Sequence, residues 1–376
     1  MSDIAAYQAS ARSWIAEHRR YAPADYGAIC PPDLVDHAVA WQRRIHDAGY
    51  AGIHWPEIHG GQGRTIDHTA AWQFECASAG VPSAFNMVGH VLAGGAILQF
   101  GTPGQQAAHL RPTLSADRLW CQLFSEPGAG SDLGSLTTRA ELDGDQYVVN
   151  GQKVWCSGGR YSDWGILMAR TDPGAGKHDG VSFFLFPMDL AGVEVRPLRQ
   201  MTGEAEFDEV FLTDVELPAE NLLGPLDGGW GVGMAVLTNE RGHIGTAVIG
   251  LERRLEQLAA IAETDSHGHG RGGLEPVARQ QLAGLLARGH AYKAMGLRQG
   301  AAASTAASLM KLGITELMFD AAMLRGGLGG AGSTVDGPGA SGMLAAPGGR
   351  IAGGTSQIQR NIIGERLLGL PREPKP

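Results

Sequence analysis

Phe124-Ser125-Glu126-Pro127-Gly128-Ala129-Gly130-Ser131-Asp132 is the stretch on which the reading of this sequence turns. Its glycines permit positive φ and let backbone N–H groups come close to a ligand, and Ser125 and Ser131 add hydroxyls on either side. Standing alone, it is equally a glycine-rich turn between a helix and a strand. What surrounds it decides, because the hydrophobic period changes here. From about residue 4 to 117 apolar residues recur at helical spacing, broken by loops such as His54-Trp55-Pro56 and Gly60-Gly61-Gln62-Gly63. From about 118 to 225 the pattern is one of short strand-like runs: Gln146–Val149, Gly165–Met168, Val181–Phe186 and Val193–Val195. Asp143-Gly144-Asp145, Asn150-Gly151 and Asp172-Pro173-Gly174 read as turns between them, which suggests an antiparallel barrel or sandwich rather than βαβ units.

Past Gly228-Gly229-Trp230 the helical period returns. Met310, Ile314, Leu317 and Ala321 form one stripe of a helix. Two breaks, Ser266–Gly273 and the Gly/Ala/Pro-rich Arg325–Gly349, are expected to be loops with too little apolar mass to pack alone. The expected class is α+β, with domains at 1–117 (helical), 118–226 (β) and 227–376 (helical).

Composition narrows the function without naming it. Thirty basic against thirty-nine acidic residues give a net charge of −9 with no basic block, so no nucleic-acid footprint is expected. Cys30, Cys76, Cys121 and Cys156 are scattered without a CxxC pair, which suits a reducing cytoplasm and argues against a zinc site or a disulfide framework. Neither a secretory signal nor a membrane span is visible. His267 and His269 flank a glycine without a further ligand nearby, so no metal site is expected.

Two further blocks complete the pattern: Asn150-Gly151-Gln152-Lys153-Val154-Trp155-Cys156-Ser157-Gly158-Gly159 and Ile351-Ala352-Gly353-Gly354-Thr355-Ser356-Gln357-Ile358-Gln359-Arg360-Asn361. With the opening stretch, in this order, and with Met201–Phe207 between them, they resemble the acyl-CoA dehydrogenase family over residues 35 to 373. The resemblance implies an N-terminal helical domain, a middle β-domain (barrel or sandwich) and a C-terminal four-helix bundle. It also implies FAD, an acyl-CoA substrate of the kind met in fatty-acid β-oxidation, an electron-transfer flavoprotein as redox partner, and a homo- or hetero-oligomer (dimer or tetramer). By its motifs, Gln122, Phe124 and Ser125 line the flavin, Trp155 covers its ring, and Ser157 hydrogen-bonds near its N5. Thr355 and Gln357 contact FAD from the C-terminal loop, and Ser131 and Arg241 touch the acyl-CoA. Read without the family, Trp155 is a core tryptophan at a strand end and Thr355 an N-cap.

The family's reaction removes an α-proton from the thioester while the β-hydrogen leaves as hydride, which needs a polarised carbonyl and a nearby carboxylate. Many members carry that glutamate where this chain has Gly353, whose backbone N–H can only donate to the thioester oxygen. A minority arrangement places it on a helix of the C-terminal domain, and there Leu237-Thr238-Asn239-Glu240-Arg241-Gly242 offers Glu240. Outside the family pattern, Glu240 reads as an exposed helix glutamate. The family's Arg-x-x-Phe-Gly motif has no match between Leu251 and Gln280, and Gly326-Gly327-Leu328-Gly329-Gly330 stands in place of its glycine-rich FAD-contacting stretch. The expected activity is α,β-dehydrogenation of an acyl-CoA; the alternative is a non-catalytic or co-catalytic subunit of a hetero-oligomeric dehydrogenase.

Overall fold

The structure, a computed structural model, describes residues 3–24, 26, 29–242, 251, 255–260, 274–296 and 303–372; of 238–242 and 303–306 it describes the backbone alone. Two compact units divide the chain, Met1–Asn239 and Glu240–Pro376.

The first unit opens with helices α1 (Asp3–His18), α2 (Val35–Asp47), α3 (Ile66–Ala79), α4 (Gly94–Phe100) and α5 (Pro103–Ser115). Their apolar stripes bury a cluster of indoles. Trp41 and Trp72 are within 2% of full burial, and each buried N–H finds a carbonyl, Trp41 on Pro82 at 2.9 Å and Trp72 on Ser83 at 2.8 Å. Those two bonds and the Gln42 Oε1 that accepts from Phe85 N (2.8 Å) fix the segment ahead of a π-helical turn, Val88–Ala93. Asn86 then ties this segment to the sheet by accepting from Trp120 N and donating to Trp120 O. Helix α5 starts where it does because Thr102 and Gln105 form a capping box and Pro103 occupies the first turn.

Seven strands follow: β1 (Trp120–Leu123), β2 (Arg139–Asp143), β3 (Gln146–Ser157), β4 (Trp164–Arg170), β5 (Val181–Pro187), β6 (Val193–Leu198) and β7 (Phe207–Pro218). Their order is β1-β4-β2-β3-β7-β6, with β5 on β4. The α+β architecture is as expected, but the sheet is not purely antiparallel: β1 runs parallel to β4. Residues Gly165–Ala169 of β4 and Val181–Phe186 of β5 are buried without interruption, so these strands are covered on both faces. A second correction concerns Asn150-Gly151, which is no turn. It is an irregularity inside β3, where the register with β7 shifts between Val149 and Gly151. Asn150 and Asp214 bridge it side chain to side chain (3.0 Å), and a Cβ at Gly151 would lie 2.8 Å from the Thr138 Cα. Helix α6 (Gly229–Gly242) leaves the sheet with Val232 and Val236 in the core of this unit.

The described part of the second unit is helical: residues 255–260, α7 (Pro276–Gly296), α8 (Ala303–Leu328), α9 (Pro338–Ile351) and α10 (Ser356–Ile362), the last running into a π-helical turn, Ile363–Leu367. The stripe Met310, Ile314, Leu317 is buried as its period requires, with Ala321 packed at its edge. The expected loop Arg325–Gly349 is corrected: it is the end of α8, a 3-10 turn (Gly330–Thr334) and most of α9. No residue of α9 is buried, so apolar mass is indeed lacking. Other devices hold the helix. Pro338 presets the first turn, and Gly326 leaves room for Met343. Lys311 donates to the Gly349 carbonyl at 3.3 Å, and Arg350 lies 4.5 Å over the Phe319 ring. The expected loop Ser266–Gly273 lies outside the described residues. No described helix is long and apolar enough to cross a membrane.

Candidate functional site

Strand β1 delivers Gln122, half-buried, and then Phe124, buried edge-on against Phe183 with centroids 5.6 Å apart. Ser125 follows, half-buried, and its carbonyl accepts from Val154 N at 2.9 Å. The chain then closes a tight turn in which Glu126 and Ala129 exchange both backbone bonds at 3.0 Å. Gly128 and Gly130 stand exposed, with open space where a Cβ would point. Ser131 is also exposed, and Asp132 beside it binds Ser135 (2.6 Å) and Lys177 (2.5 Å).

Beneath this turn lies a pair that motif reading passes over. Glu126 and Lys153 are buried, with Nζ 2.9 Å from Oε1. The carboxylate also accepts from Thr138 N (2.9 Å), Thr137 N (2.7 Å) and Thr137 Oγ1 (2.7 Å), while Lys153 donates a further bond to the Phe124 carbonyl at 3.1 Å. Burial pushes the Glu126 carboxyl upward, but the Lys153 charge and these donors outweigh it and bring the pKa down to about 2. Burial acts on Lys153 in the opposite sense and lowers its amine. The donor count decides between the two tendencies: four bonds into one carboxylate require its ionised form, so the pair is charged at neutral pH.

Trp155 sits two residues beyond Lys153 in a second bulge, where the β3–β7 register jumps from Lys153 to Cys156. Its φ is +61°, a left-handed conformation that costs an aromatic residue energy. Its side chain is 54% exposed and meets Phe207 edge-on at 5.6 Å. The core reading of this tryptophan is therefore wrong; it is an apolar surface wall. Ser157, half-buried, stands opposite Phe207 in the ladder and lines a recess with Phe85, Asn86, Val88 and Tyr161. The fold thus brings Gln122–Ser125 and Trp155–Ser157 side by side. An exposed indole wall, hydroxyls at its edge and open glycine backbone make a donor set that fits a flavin ring and its polar substituents.

In the second unit, Gly353 and Gly354 take φ of +63° and +92°, and Thr355 caps α10 by accepting from Ile358 N at 3.2 Å. Gln357 is exposed on the first turn. Gln359, 1% exposed, donates from Nε2 to the Gly353 carbonyl at 3.0 Å. Ser356 donates to Glu316 (2.7 Å), which Arg350 also meets at 3.1 Å; the Ser356 bond and then the arginine charges hold this carboxyl below its usual range. Gln359 and Glu316 carry no signal in local spacing. Glu240 and Arg241 belong to α6, but their side chains lie outside the described residues, as do His267 and His269 altogether.

Comparison with known proteins gives three family matches in sequence order: acyl-CoA dehydrogenase N-terminal domain over residues 3–117, middle domain over 121–215 and C-terminal domain over 227–368. The chain is 38% identical, over the full length of both, to "Acyl-CoA dehydrogenase IpdE1" of Mycobacterium tuberculosis. It superposes on the solved "Tcur3481-Tcur3483 steroid ACAD" with a TM-score of 0.82 and 26% identity, covering 99% of each chain. The "ChsE4-ChsE5 complex from Mycobacterium tuberculosis" gives 0.79 and 27%, again with 99% of each chain covered.

Proposed function

The chain belongs to the acyl-CoA dehydrogenases, FAD-dependent oxidoreductases acting on CH–CH donors, and on that premise we propose that it converts an acyl-CoA thioester to the trans-2-enoyl-CoA with Glu240 as base. When bound, FAD supplies the acceptor for the β-hydride. The chain's own residues bind, orient and move the proton. Trp155 walls the ring and excludes water, and Gln122, Phe124, Ser125 and Ser157 hold its near edge, with Thr355 and Gln357 contributing from the C-terminal loop. Ser131 and Arg241 hold the acyl-CoA, and the Gly353 N–H draws electron density toward the thioester oxygen, which acidifies the α-carbon. Glu240 takes the proton. An electron-transfer flavoprotein then reoxidises the enzyme.

The observation that carries the flavin reading is the exposed, left-handed Trp155 registered to Ser125 through the Val154–Ser125 bond. The turn at Gly353 supports the choice of base, because two successive left-handed glycines offer backbone and no carboxylate. The test is anaerobic bleaching of the flavin by a panel of acyl-CoAs, with wild type beside Glu240→Gln. Losing a general base is expected to slow reduction by about a hundredfold or more. Reduction of Glu240→Gln at the wild-type rate would sink the assignment.

A second reading has its own support. Both similar solved proteins are described as pairs of different chains, Tcur3481 with Tcur3483 and ChsE4 with ChsE5, and one is called a steroid dehydrogenase. On this reading the chain is one subunit of a hetero-oligomer acting on a bulky acyl-CoA. Purified alone it would then hold little flavin or reduce it poorly, and a partner chain would restore both.

A further inference from the structure

We propose that the buried Glu126–Lys153 ion pair is a positioning pair for the flavin, locking the Phe124–Ser125 segment to the Trp155 bulge and so setting the plane of the indole. The inference rests on the reading of Trp155 as the flavin's wall.

Stability alone does not explain the pair. Lys153 is 0% and Glu126 6% exposed, and stripping water from two ions is a cost that apolar residues of the same volume avoid. What ions add is direction. Lys153 reaches the Phe124 carbonyl at 3.1 Å and Glu126 at 2.9 Å, so one ammonium grips the residues on both sides of Ser125. Glu126 in turn grips the backbone of Thr137 and Thr138, at the entry to β2. Residue 153 is thereby tied to two segments at once, the Phe124–Glu126 turn and, through Glu126, the entry to β2.

Two residues later the chain enters the left-handed bulge. A bulge leaves its extra residue without a cross-strand partner, so the ladder does not itself orient that side chain. On one side Trp155 is flanked by Val154, whose N–H binds the Ser125 carbonyl at 2.9 Å. On the other side Cys156 resumes pairing with Asp208. The ladder holds Lys153 opposite Val210; what the ammonium adds is a tie from β3 across to the Phe124–Glu126 turn, and without it the Val154–Ser125 bond would be left to hold the indole's bulge to that turn. Directional clamps of this kind are what an ordered site needs from its supporting residues.

The experiment uses the full chain loaded with FAD and four proteins: wild type, the double variant Glu126→Gln/Lys153→Met, Glu126→Asp, and Trp155→Phe as reference. Three quantities are read: the FAD dissociation constant, the shape of the bound flavin's visible band, and the thermal midpoint. The double variant keeps the volume without the charge; its single amide oxygen can accept from Thr137 or from Thr138 but not from both, so its thermal midpoint is expected a few degrees below wild type. Its FAD dissociation constant is expected to rise at least about tenfold. Its flavin band is expected to shift in the same direction as that of Trp155→Phe. Glu126→Asp, which keeps the charge and retracts it, is expected to fall between.

A wild-type band and dissociation constant in whichever of the two pair variants folds overturn the proposal. Failure of both to fold overturns it too, since the pair would then be a requirement for folding and not for placing the indole. A wild-type band in Trp155→Phe instead overturns the reading of Trp155, whatever the pair variants do.

Discussion

Gln359 illustrates how much one buried amide can decide. Its Nε2 holds the Gly353 carbonyl at 3.0 Å, and its Oε1 is enclosed with no hydrogen-bond partner among the described residues. A buried acceptor left unmet costs about 1–3 kcal/mol, which offsets what the other bond contributes. Replacing the amide by an apolar group of similar shape should therefore leave stability almost unchanged while freeing the Gly353 turn. Gln359→Leu is expected to melt within a few degrees of wild type yet lose about tenfold in kcat/KM, the effect of one misplaced hydrogen-bond donor. Steady-state kinetics beside a melting curve check this, and an unaltered kcat/KM would show that the turn holds itself. The residues that do this work were hidden in the sequence for a plain reason. Thr355 is legible because a cap and its N–H are three positions apart. Lys153 and Glu126 are 27 apart, and Ser356 and Glu316 are 40 apart, so no local pattern joins them.

Elements were legible where one face met water and the other the core, and less so where packing overrode pattern. The stripe of α8 follows from its period, whereas β4 and β5, buried on both faces, show as short unbroken apolar runs, and β3 shows only as far as Val149. Strand β1 has four residues, and its pairing with β4 lies some forty positions away, so nothing beside it in sequence announces it. Helix α9 is hidden by its glycines and by Pro347, since it is held by charge and close approach more than by buried carbon. Glycine has opposite meanings in two helices, and this can be measured. In α4, a Cβ on Gly94 would run into the Trp55 ring, which is 2% exposed and has nowhere to go. Gly94→Ala is expected to destabilise the first unit by about 1–3 kcal/mol through overpacking. In α9, nothing lies within 4 Å of a Cβ on Gly348, so Gly348→Ala is expected to stabilise by about 0.5–1 kcal/mol through helix propensity. Denaturant midpoints of the two variants should move in opposite directions; a shift of the same sign would refute the packing account of both.

At the scale of the whole molecule, the buried titratable groups set how the first unit responds to acid. Burial pushes His109 down to about 4, helped by the Arg118 charge, and Arg118 donates to its Nδ1 at 2.7 Å. His90 is half-buried, but its Nε2 is enclosed; burial, with the charges of His46 and His54, brings it to about 4 as well. Both rings are therefore neutral in the folded protein at a pH where the unfolded chain already protonates them, near 6.5. Between about pH 6.5 and 4 the unfolded state binds more protons, so stability falls as pH falls, by up to about 1.4 kcal/mol per pH unit for each ring. Glu126 does not add to this. Its pKa of about 2 lies below its ordinary value, so its contribution is intact above about pH 4.3 and is lost only as pH drops from there toward 2. Asp208 works the other way: burial raises its carboxyl, so protonation in the folded state eases the loss at the acid end of the range. Urea unfolding at a series of pH values should thus show a slope that begins above pH 6, above the ordinary carboxylate range. His90→Asn combined with His109→Gln should flatten it between pH 6.5 and 4.5, while removal of both partners in Glu126→Gln/Lys153→Met leaves that interval as steep as in wild type. A double histidine variant with the wild-type slope would mean that other groups govern the acid response.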